Sequence, residues 1–476
     1  MRQLRAAAAL ATLLTLTGCT SFAASMATLE PTAPASSTPA DRDFVCPAQR
    51  AEPDPDRPVI AYEFRLADDQ KSVTGTETVT FTPDRATDRL VFRLVPNGPG
   101  SAAEGNRLTV DDVRGDDVDE GGYVQAAGAD PGGLYEVRLD EQLAAGKSTK
   151  VALDFTLTLG QGAFDRFGTD HGLSWWASGA PLLAWEPGVG WAEEPFVPLL
   201  GETASSPVAD TSISVSVPED LTVLMTGAQQ PPSAPEDGRR TWTSKEPVAR
   251  DVSVVAGDFT TEERTTPDGV RVTVGVLPHG DVPLGRLADW TVQAIADLEA
   301  RFGAFPYRTL TVPLLPDYGG GIEYPSSIQL AAPDQDVLVH EVAHMWFYGM
   351  VGDDQFRDPW LDEAFATYAE SVDFPPRPDF VQGALALPGD VGASIDQFPD
   401  DNRYFDTVYG KGGAALLAAR DAAGADAFDQ AMRCYIDANA WTIATPPDVA
   451  AAFARLPAAI GVLLDAGALR KGDLTD

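Results

Sequence analysis

The stretch "HEVAHMWFYGMVGDDQFRDPWLDEAFATYAE", residues 340–370, decides the fold of this chain. It contains two of the four histidines among 476 residues, His340 and His344, with Glu341 beside the first. Residues four apart lie on the same face of a helix, so both imidazoles can point at one metal ion. With 18 residues between it and His344, Glu363 falls on a second predicted helix. The stretch therefore predicts two helices that fold against each other and bring three potential ligands together.

These three side chains are of the kinds that zinc prefers. Zn²⁺ accepts imidazole nitrogen and carboxylate oxygen, and a catalytic site usually has three protein ligands and one open position. We predict one Zn²⁺ per chain, held by His340, His344 and Glu363. Glu341 would then lie beside the ion and take a proton from the bound water. A buried helix whose histidines are satisfied by hydrogen bonds alone is the structural alternative.

The rest of the chain predicts a β-rich N-terminal part and a mixed C-terminal part. Alternating apolar residues in segments such as "VALDFTLTL" (151–159) predict half-buried antiparallel strands. Helical spacing predicts helices over 285–303, 333–349 and 357–372, the last with Asp358 as its N-cap. The predicted domains are a flexible tether at 19–57, an N-terminal β domain at 58–262 and a catalytic domain at 263–476.

The charge of the chain excludes some partners. It carries 34 basic and 71 acidic residues, a net charge of −37. Nucleic acid is excluded, because its phosphates require basic patches. Docking of the protein surface on anionic lipid is disfavoured for the same reason.

The N-terminus predicts export. The apolar run at 6–16 is too short to span a bilayer and follows two arginines. Leu-Thr-Gly-Cys, ending at Cys19, resembles the bacterial lipobox, which implies a lipoprotein signal peptide at 1–18 and acyl chains on Cys19. We predict a cell-envelope lipoprotein anchored to the outer face of the membrane; a secreted protein, cut near Ala23, is the alternative.

Two more cysteines, Cys46 and Cys434, lie far apart in the sequence. An exported compartment permits a disulfide between them. Sequence alone does not bring the two residues together, so the pairing stays open.

The segment 340–370 resembles the zinc-binding signature of aminopeptidase-N-type metallopeptidases, a gluzincin family that pairs H-E-x-x-H with a glutamate at this spacing. Residues 360–366 match its W-L-N-E-G-F-A-like part, with Asp362 for Asn and Ala364 for Gly. Met345 stands where Gln is usual. The resemblance implies a multidomain α+β protein: an antiparallel β-sandwich or saddle domain, then a thermolysin-like α/β catalytic domain. By this resemblance it would be a short form, and we expect no large C-terminal helical domain such as longer members have.

Upstream, "GGGIEYP" (319–325) is similar to the exopeptidase motif of that family. An edge strand with Gly320 and Gly321 would offer free N–H and C=O groups to an extended peptide. Glu323 would offer a carboxylate to a protonated α-amine. A turn followed by a strand with a solvated glutamate is the alternative for this segment.

Downstream, "TVYGKGGAALLAAR" (407–420) resembles the Y-x-K-G helix of the family. The resemblance gives Tyr409 the role of donor to the developing oxyanion, which suits a neutral phenol. Tyr404 is the rival, and both tyrosines could instead simply pack the core.

Other residues are candidates for supporting roles. Asp362 and Glu370 could orient the imidazoles. Glu193 or Glu194 could give a second contact to the substrate amine.

The resemblance implies a zinc-dependent aminopeptidase. It would hydrolyse the N-terminal peptide bond of peptides with a free N-terminus by attack of a zinc-activated water. One alternative is a thermolysin-like zinc endopeptidase, which needs no Glu323. Another is a catalytically inactive surface lipoprotein that uses the same fold for binding.

Overall fold

A computed structural model describes one compact unit made of residues 49–161, 166–201, 204–278, 280, 282–316 and 318–474. The predicted signal peptide, Cys19 and Cys46 lie outside the described residues. Arg50, inside the predicted tether, belongs to the folded unit. Its Nε lies 3.1 Å from Asp437 Oδ1, and its Nη1 donates to the Ala304 carbonyl at 2.9 Å.

The N-terminal part is rich in strands whose buried residues alternate, as the sequence pattern predicts. A short helix, α1 (Pro99–Ala103), lies among them. The strands are β1 (Val59–Leu66), β2 (Ser72–Phe81), β3 (Thr87–Arg93), β4 (Arg107–Arg114), β5 (Val118–Val124), β6 (Leu134–Leu143), β7 (Thr149–Thr158), β8 (Phe167–Asp170), β9 (Leu173–Ala177), β10 (Leu182–Leu183), β11 (Trp185–Glu186), β12 (Gly190–Trp191), β13 (Ala209–Pro218), β14 (Thr222–Met225), β15 (Arg239–Ala249), β16 (Ser253–Gly257), β17 (Thr260–Thr265) and β18 (Arg271–Val276).

These strands form several sheets around a shared core. The six-stranded sheet has the order β15-β13-β1-β2-β7-β4, and two four-stranded sheets have the orders β10-β3-β6-β5 and β14-β16-β9-β8. Phe64 of the first sheet packs edge-on against Trp176 of the third, with ring centroids 5.9 Å apart. Because β1 runs parallel to β13, the prediction of a wholly antiparallel β domain was wrong for this pair.

The C-terminal part is mainly helical. Its strands are β19 (Thr309–Leu314), β20 (Gly321–Tyr324) and β21 (Ser327–Leu330). Its helices are α2 (Leu284–Phe302), α3 (Gln335–Ala343), α4 (Trp360–Asp373), α5 (Pro378–Leu385), α6 (Asp401–Tyr404), α7 (Gly412–Ala423), α8 (Ala425–Ala438), α9 (Pro446–Ala452) and α10 (Pro457–Asp465), with a π-helix at Phe405–Lys411. Within the described part of the chain, no helix combines the length and apolar character needed to cross a bilayer.

Two helix ends differ from the sequence prediction. The helix predicted over 333–349 stops at Ala343. Tighter turns follow first, such as Met345 N–H to the Val342 carbonyl at 3.1 Å, and then wider ones, such as Gly349 N–H to the His344 carbonyl at 2.8 Å. Pro359, not Asp358, directly precedes the first residue of α4, so the prediction of Asp358 as N-cap was wrong.

A five-stranded sheet leads to the candidate site. Its order is β17-β18-β19-β21-β20, which leaves β20 at the edge. The predicted domain boundary at 262/263 falls inside β17, so this sheet begins just before the boundary. Helix α3 packs against β20 and β21 and brings Glu341 to the edge strand.

Candidate metal centre

Two packed helices, α3 and α4, bring the predicted ligands together. His340 lies in the last turn of α3 and His344 directly follows the helix, with ring centroids 4.9 Å apart. Glu363 lies in the first turn of α4. Its Oε2 is 3.4 Å from His340 Nε2 and 3.5 Å from His344 Nε2.

These distances fit a zinc ion. Ligand atoms about 2.05 Å from a tetrahedral ion lie roughly 3.3 Å from one another. Glu363 Oε2 is buried without a hydrogen-bond partner although it faces both imidazoles. Burial alone would raise the pKa of Glu363, but the two histidines outweigh it and hold that pKa well below its usual range. The carboxylate is therefore ionised, as a metal ligand must be.

The other ring nitrogen of each histidine faces a carboxylate. His344 Nδ1 lies 2.5 Å from Asp362 Oδ1, and both side chains are almost fully buried. Gln355 Nε2 donates to the other Asp362 oxygen at 3.1 Å. His340 Nδ1 lies 3.2 Å from Glu370 Oε2. Such contacts orient metal-binding imidazoles and leave the Nε2 atoms for the metal.

Glu341 lies beside this cluster without a partner for its Oε2 atom. Its side chain packs against Gly321 so closely that a Cβ there would lie 2.7 Å from Glu341 Cδ. Burial raises the pKa of Glu341 to about 7, since the carboxylate has lost its water. A carboxylate with this pKa can both take and return a proton near neutral pH.

Glu323 of the edge strand β20 is buried, 4% exposed, and its Oε1 has no hydrogen-bond partner. Its carboxylate lies within 4.8 Å of ligand atoms of Glu341 and His344. Burial raises its pKa to about 8. The solvated-glutamate alternative is therefore wrong for this residue. A cationic group placed beside Glu323 would favour its ionised form and find an acceptor here.

The glycines before Glu323 differ from one another. Gly320 has a φ of +82° and Gly321 does not adopt the left-handed region. The Gly320 carbonyl accepts from Ala331 N–H at 3.0 Å, so the prediction that this carbonyl is free for a peptide was wrong.

Tyr409 lies in the π-helix and faces the metal ligands. Its ring is parallel to that of His340, with centroids 6.0 Å apart and an interplanar angle of 7°. Burial, with the nearby Glu363 carboxylate and a hydrogen bond to it, raises the pKa of Tyr409 well above its usual value. The phenol is thus a neutral donor. Tyr404 lies behind it, 1% exposed, with its ring edge-on to Tyr409 at 5.9 Å.

The sequence did not reveal the ion pairs of the two candidates for a second amine contact. Glu193 pairs with Arg89 at 2.9 Å and Glu194 with Arg357 at 2.6 Å, so each candidate for the second amine contact already has a cation. Arg357 also pairs with Asp354, just before α4. In the sequence, only the positive charge of Arg357, next to the zinc motif, indicated that this residue forms ion pairs.

Solved structures with a similar fold are M1 zinc metallopeptidases. The M1 zinc metallopeptidase from Deinococcus radiodurans superposes with a TM-score of 0.66 at 19% identity, over 89% of this chain and 96% of that one. A variant of that enzyme bound to a Tyr-Ser-Ala substrate gives a TM-score of 0.64 at 18% identity, over 86% and 94% of the two chains. At this identity the likeness establishes the fold.

Sequence relatives carry names of the same kind. Aminopeptidase N of Bos taurus is 25% identical over 280 residues, 49% of this chain and 29% of the bovine one. Aminopeptidase M1-A of Oryza sativa subsp. japonica is 27% identical over 236 residues, 42% of this chain and 27% of the rice one. The chain thus matches less than a third of the length of these curated relatives. No protein-family model matches it.

Proposed function

We propose that the protein is a zinc-dependent aminopeptidase, which removes the N-terminal residue of peptides. The observation that carries this proposal is the buried carboxylate of Glu323, whose Oε1 has no hydrogen-bond partner and which lies within 4.8 Å of ligand atoms of Glu341 and His344. A protonated α-amine is a group that satisfies such a carboxylate. The names of the bovine and rice relatives support the same activity.

His340, His344 and Glu363 would hold the zinc ion, since their donor atoms converge and Glu363 is ionised. When bound, zinc polarises a carbonyl and lowers the pKa of a water molecule. The contacts of Asp362 and Glu370 fix the two imidazoles for this purpose.

The chain's own residues supply the proton transfers. Glu341 takes the proton of the attacking water and returns it to the leaving amine, which its pKa of about 7 permits. Tyr409 donates its phenolic hydrogen to the oxygen on which charge develops. Glu323 binds the substrate amine, which limits cleavage to the first peptide bond.

The main alternative is a zinc endopeptidase, and a pair of substrates separates the two. A peptide with a free N-terminus should be cleaved at its first bond, whereas its N-acetylated twin should be cleaved at least about 100-fold more slowly. Equal rates for the twins would contradict the exopeptidase function and favour the endopeptidase.

A substitution at Glu341 tests the role of this residue as the base. Glu341→Gln should lower kcat by about 10²- to 10⁴-fold, because the proton acceptor is lost while the side-chain volume stays. Elemental analysis should still find one zinc per chain. Unchanged hydrolysis by this variant would contradict the role of Glu341, and an inactive, metal-free wild-type protein would favour the non-catalytic binding alternative.

We also propose export and anchoring through a lipidated Cys19, and a disulfide between Cys46 and Cys434. Replacement of Cys19 by Ser should move the protein from the membrane fraction to the soluble fraction of cells, as followed by immunoblotting. If the wild-type protein is already soluble, the secreted alternative is favoured.

A further inference from the structure

An exposed phenylalanine lies next to the candidate active site. Phe405 begins the π-helix that carries Tyr409, and it remains 38% exposed. Its ring centroid is 5.1 Å from that of Tyr409. A π-helical turn is rare and often occurs at functional sites.

The contacts of Glu323 and Tyr409 define two sides of the candidate site. Glu323 lies on the His344 side, where its carboxylate is within 4.8 Å of a His344 nitrogen. Tyr409 stacks on the other histidine, His340. Phe405 packs against Tyr409 and adds a second, exposed ring to this aromatic surface.

A substrate whose amine is bound by Glu323 therefore points its C-terminal side towards Tyr409 and Phe405. The carbonyl of the first residue must lie near the metal ligands. The second substrate residue, which carries the new amine after cleavage, follows this carbonyl along the substrate. An exposed aromatic ring at that place offers apolar surface to this residue.

We infer that Phe405 is a specificity-determining residue: it contacts the residue after the scissile bond and favours substrates in which that residue is aromatic or large and aliphatic. This inference rests on the proposed aminopeptidase function. Phe405 does not take part in the chemistry, so its replacement should change the ratio of kcat/KM between substrates.

Three tripeptides that share a first residue test the inference: Leu-Phe-Gly, Leu-Leu-Gly and Leu-Gly-Gly, with zinc-loaded protein. For the wild type, kcat/KM for Leu-Phe-Gly should exceed that for Leu-Gly-Gly by about 10-fold or more, the range of one apolar contact. In Phe405→Ala this ratio should fall to within about 2-fold of unity. Phe405→Leu should keep the preference for Leu-Leu-Gly over Leu-Gly-Gly.

Phe374→Ala is the matched control. Phe374 is similarly exposed, at 41%, and follows the C-terminal end of α4. It lies eleven positions after Glu363, about 16 Å along the helix at 1.5 Å per residue. This variant should keep the wild-type ratio.

The outcomes distinguish the inference from the proposed function. If the wild type cleaves the tripeptides at the first bond but Phe405→Ala leaves the ratio unchanged, the specificity role is wrong and the aminopeptidase function stands. An equal loss for all three tripeptides also contradicts the inference, because it would indicate a structural role. If the wild type cleaves none of them, both the inference and the proposed function fail.

Discussion

At Gly321 the absence of a side chain leaves the space that Glu341 occupies. A Cβ at this position would lie 2.7 Å from both Glu341 Cγ and Cδ. Gly319 and Gly320 have a different reason to be glycine, since their φ values are +87° and +82° and the space around them is open. In the sequence the three glycines look equivalent, because their spacing does not show which of them contacts a side chain from a distant helix.

We expect Gly321→Ala to lower kcat by about 10- to 100-fold. The added methyl group must displace the carboxylate of Glu341, and a shift of about 1 Å in a catalytic group has an effect of this size. Zinc content should stay near one per chain, since the three atoms nearest to the added methyl group all belong to Glu341 and none to a predicted ligand. Kinetics with an aminoacyl amide and elemental analysis measure the two quantities.

Gly461→Ala is the control for this substitution, because a Cβ at Gly461, inside α10, meets nothing within 4 Å. It should leave kcat unchanged. A Gly321→Ala enzyme with wild-type kcat would show that Glu341 tolerates displacement or is not the base.

At the scale of elements, α4 supplies one ligand and the carboxylates behind both imidazoles. Asp362 and Glu363 lie in its first turn, and Glu370 two turns later, on the side that faces α3. Helical periodicity predicted that His340 and His344 lie on one face. The loop through Gly352 predicted that the helix of Glu363 folds back against them. The π-helix at 405–411 and the early end of α3 were not predictable, since tertiary packing sets both.

We expect Asp362→Ala to weaken zinc binding by about 10- to 100-fold, as loss of the partner behind a metal-binding histidine usually does. The buried Asp362 lies 2.5 Å from His344 Nδ1, and alanine leaves this nitrogen without the carboxylate that orients the ring. Competition with a fluorescent zinc chelator measures the affinity. Glu370→Ala should have a smaller effect, because the side chain of Glu370 is 30% exposed and water can replace it. Equal or reversed effects would contradict the assigned importance of Asp362.

At the scale of the whole molecule, the strand that carries Glu323 is held by the β-rich part. Ser326, in the turn between β20 and β21, accepts from Gly227 N–H at 2.9 Å and hydrogen-bonds to Glu246 of β15. Gln329 of β21 donates to Ser253 Oγ at 3.1 Å. Strand patterns predicted a β-rich half and a helical half. They could not predict these contacts, because polar residues far apart in sequence carry no periodic signal.

The buried Glu246, which hydrogen-bonds to Ser326, makes the free energy of unfolding depend on pH. Burial raises the pKa of Glu246 to about 7, so between about pH 4.5 and 7 the folded protein binds a proton here that the unfolded chain has lost. The free energy of unfolding should therefore fall as pH rises through this window, by up to about 1.4 kcal/mol per pH unit from this group. Glu246→Gln removes this term, so its stability relative to wild type should increase from pH 5 to pH 8, by up to about 3 kcal/mol. Urea unfolding of zinc-saturated proteins measures the difference, with the exposed Glu219→Gln as control. A difference that stays constant across this range would show that Glu246 is ionised in the folded protein throughout.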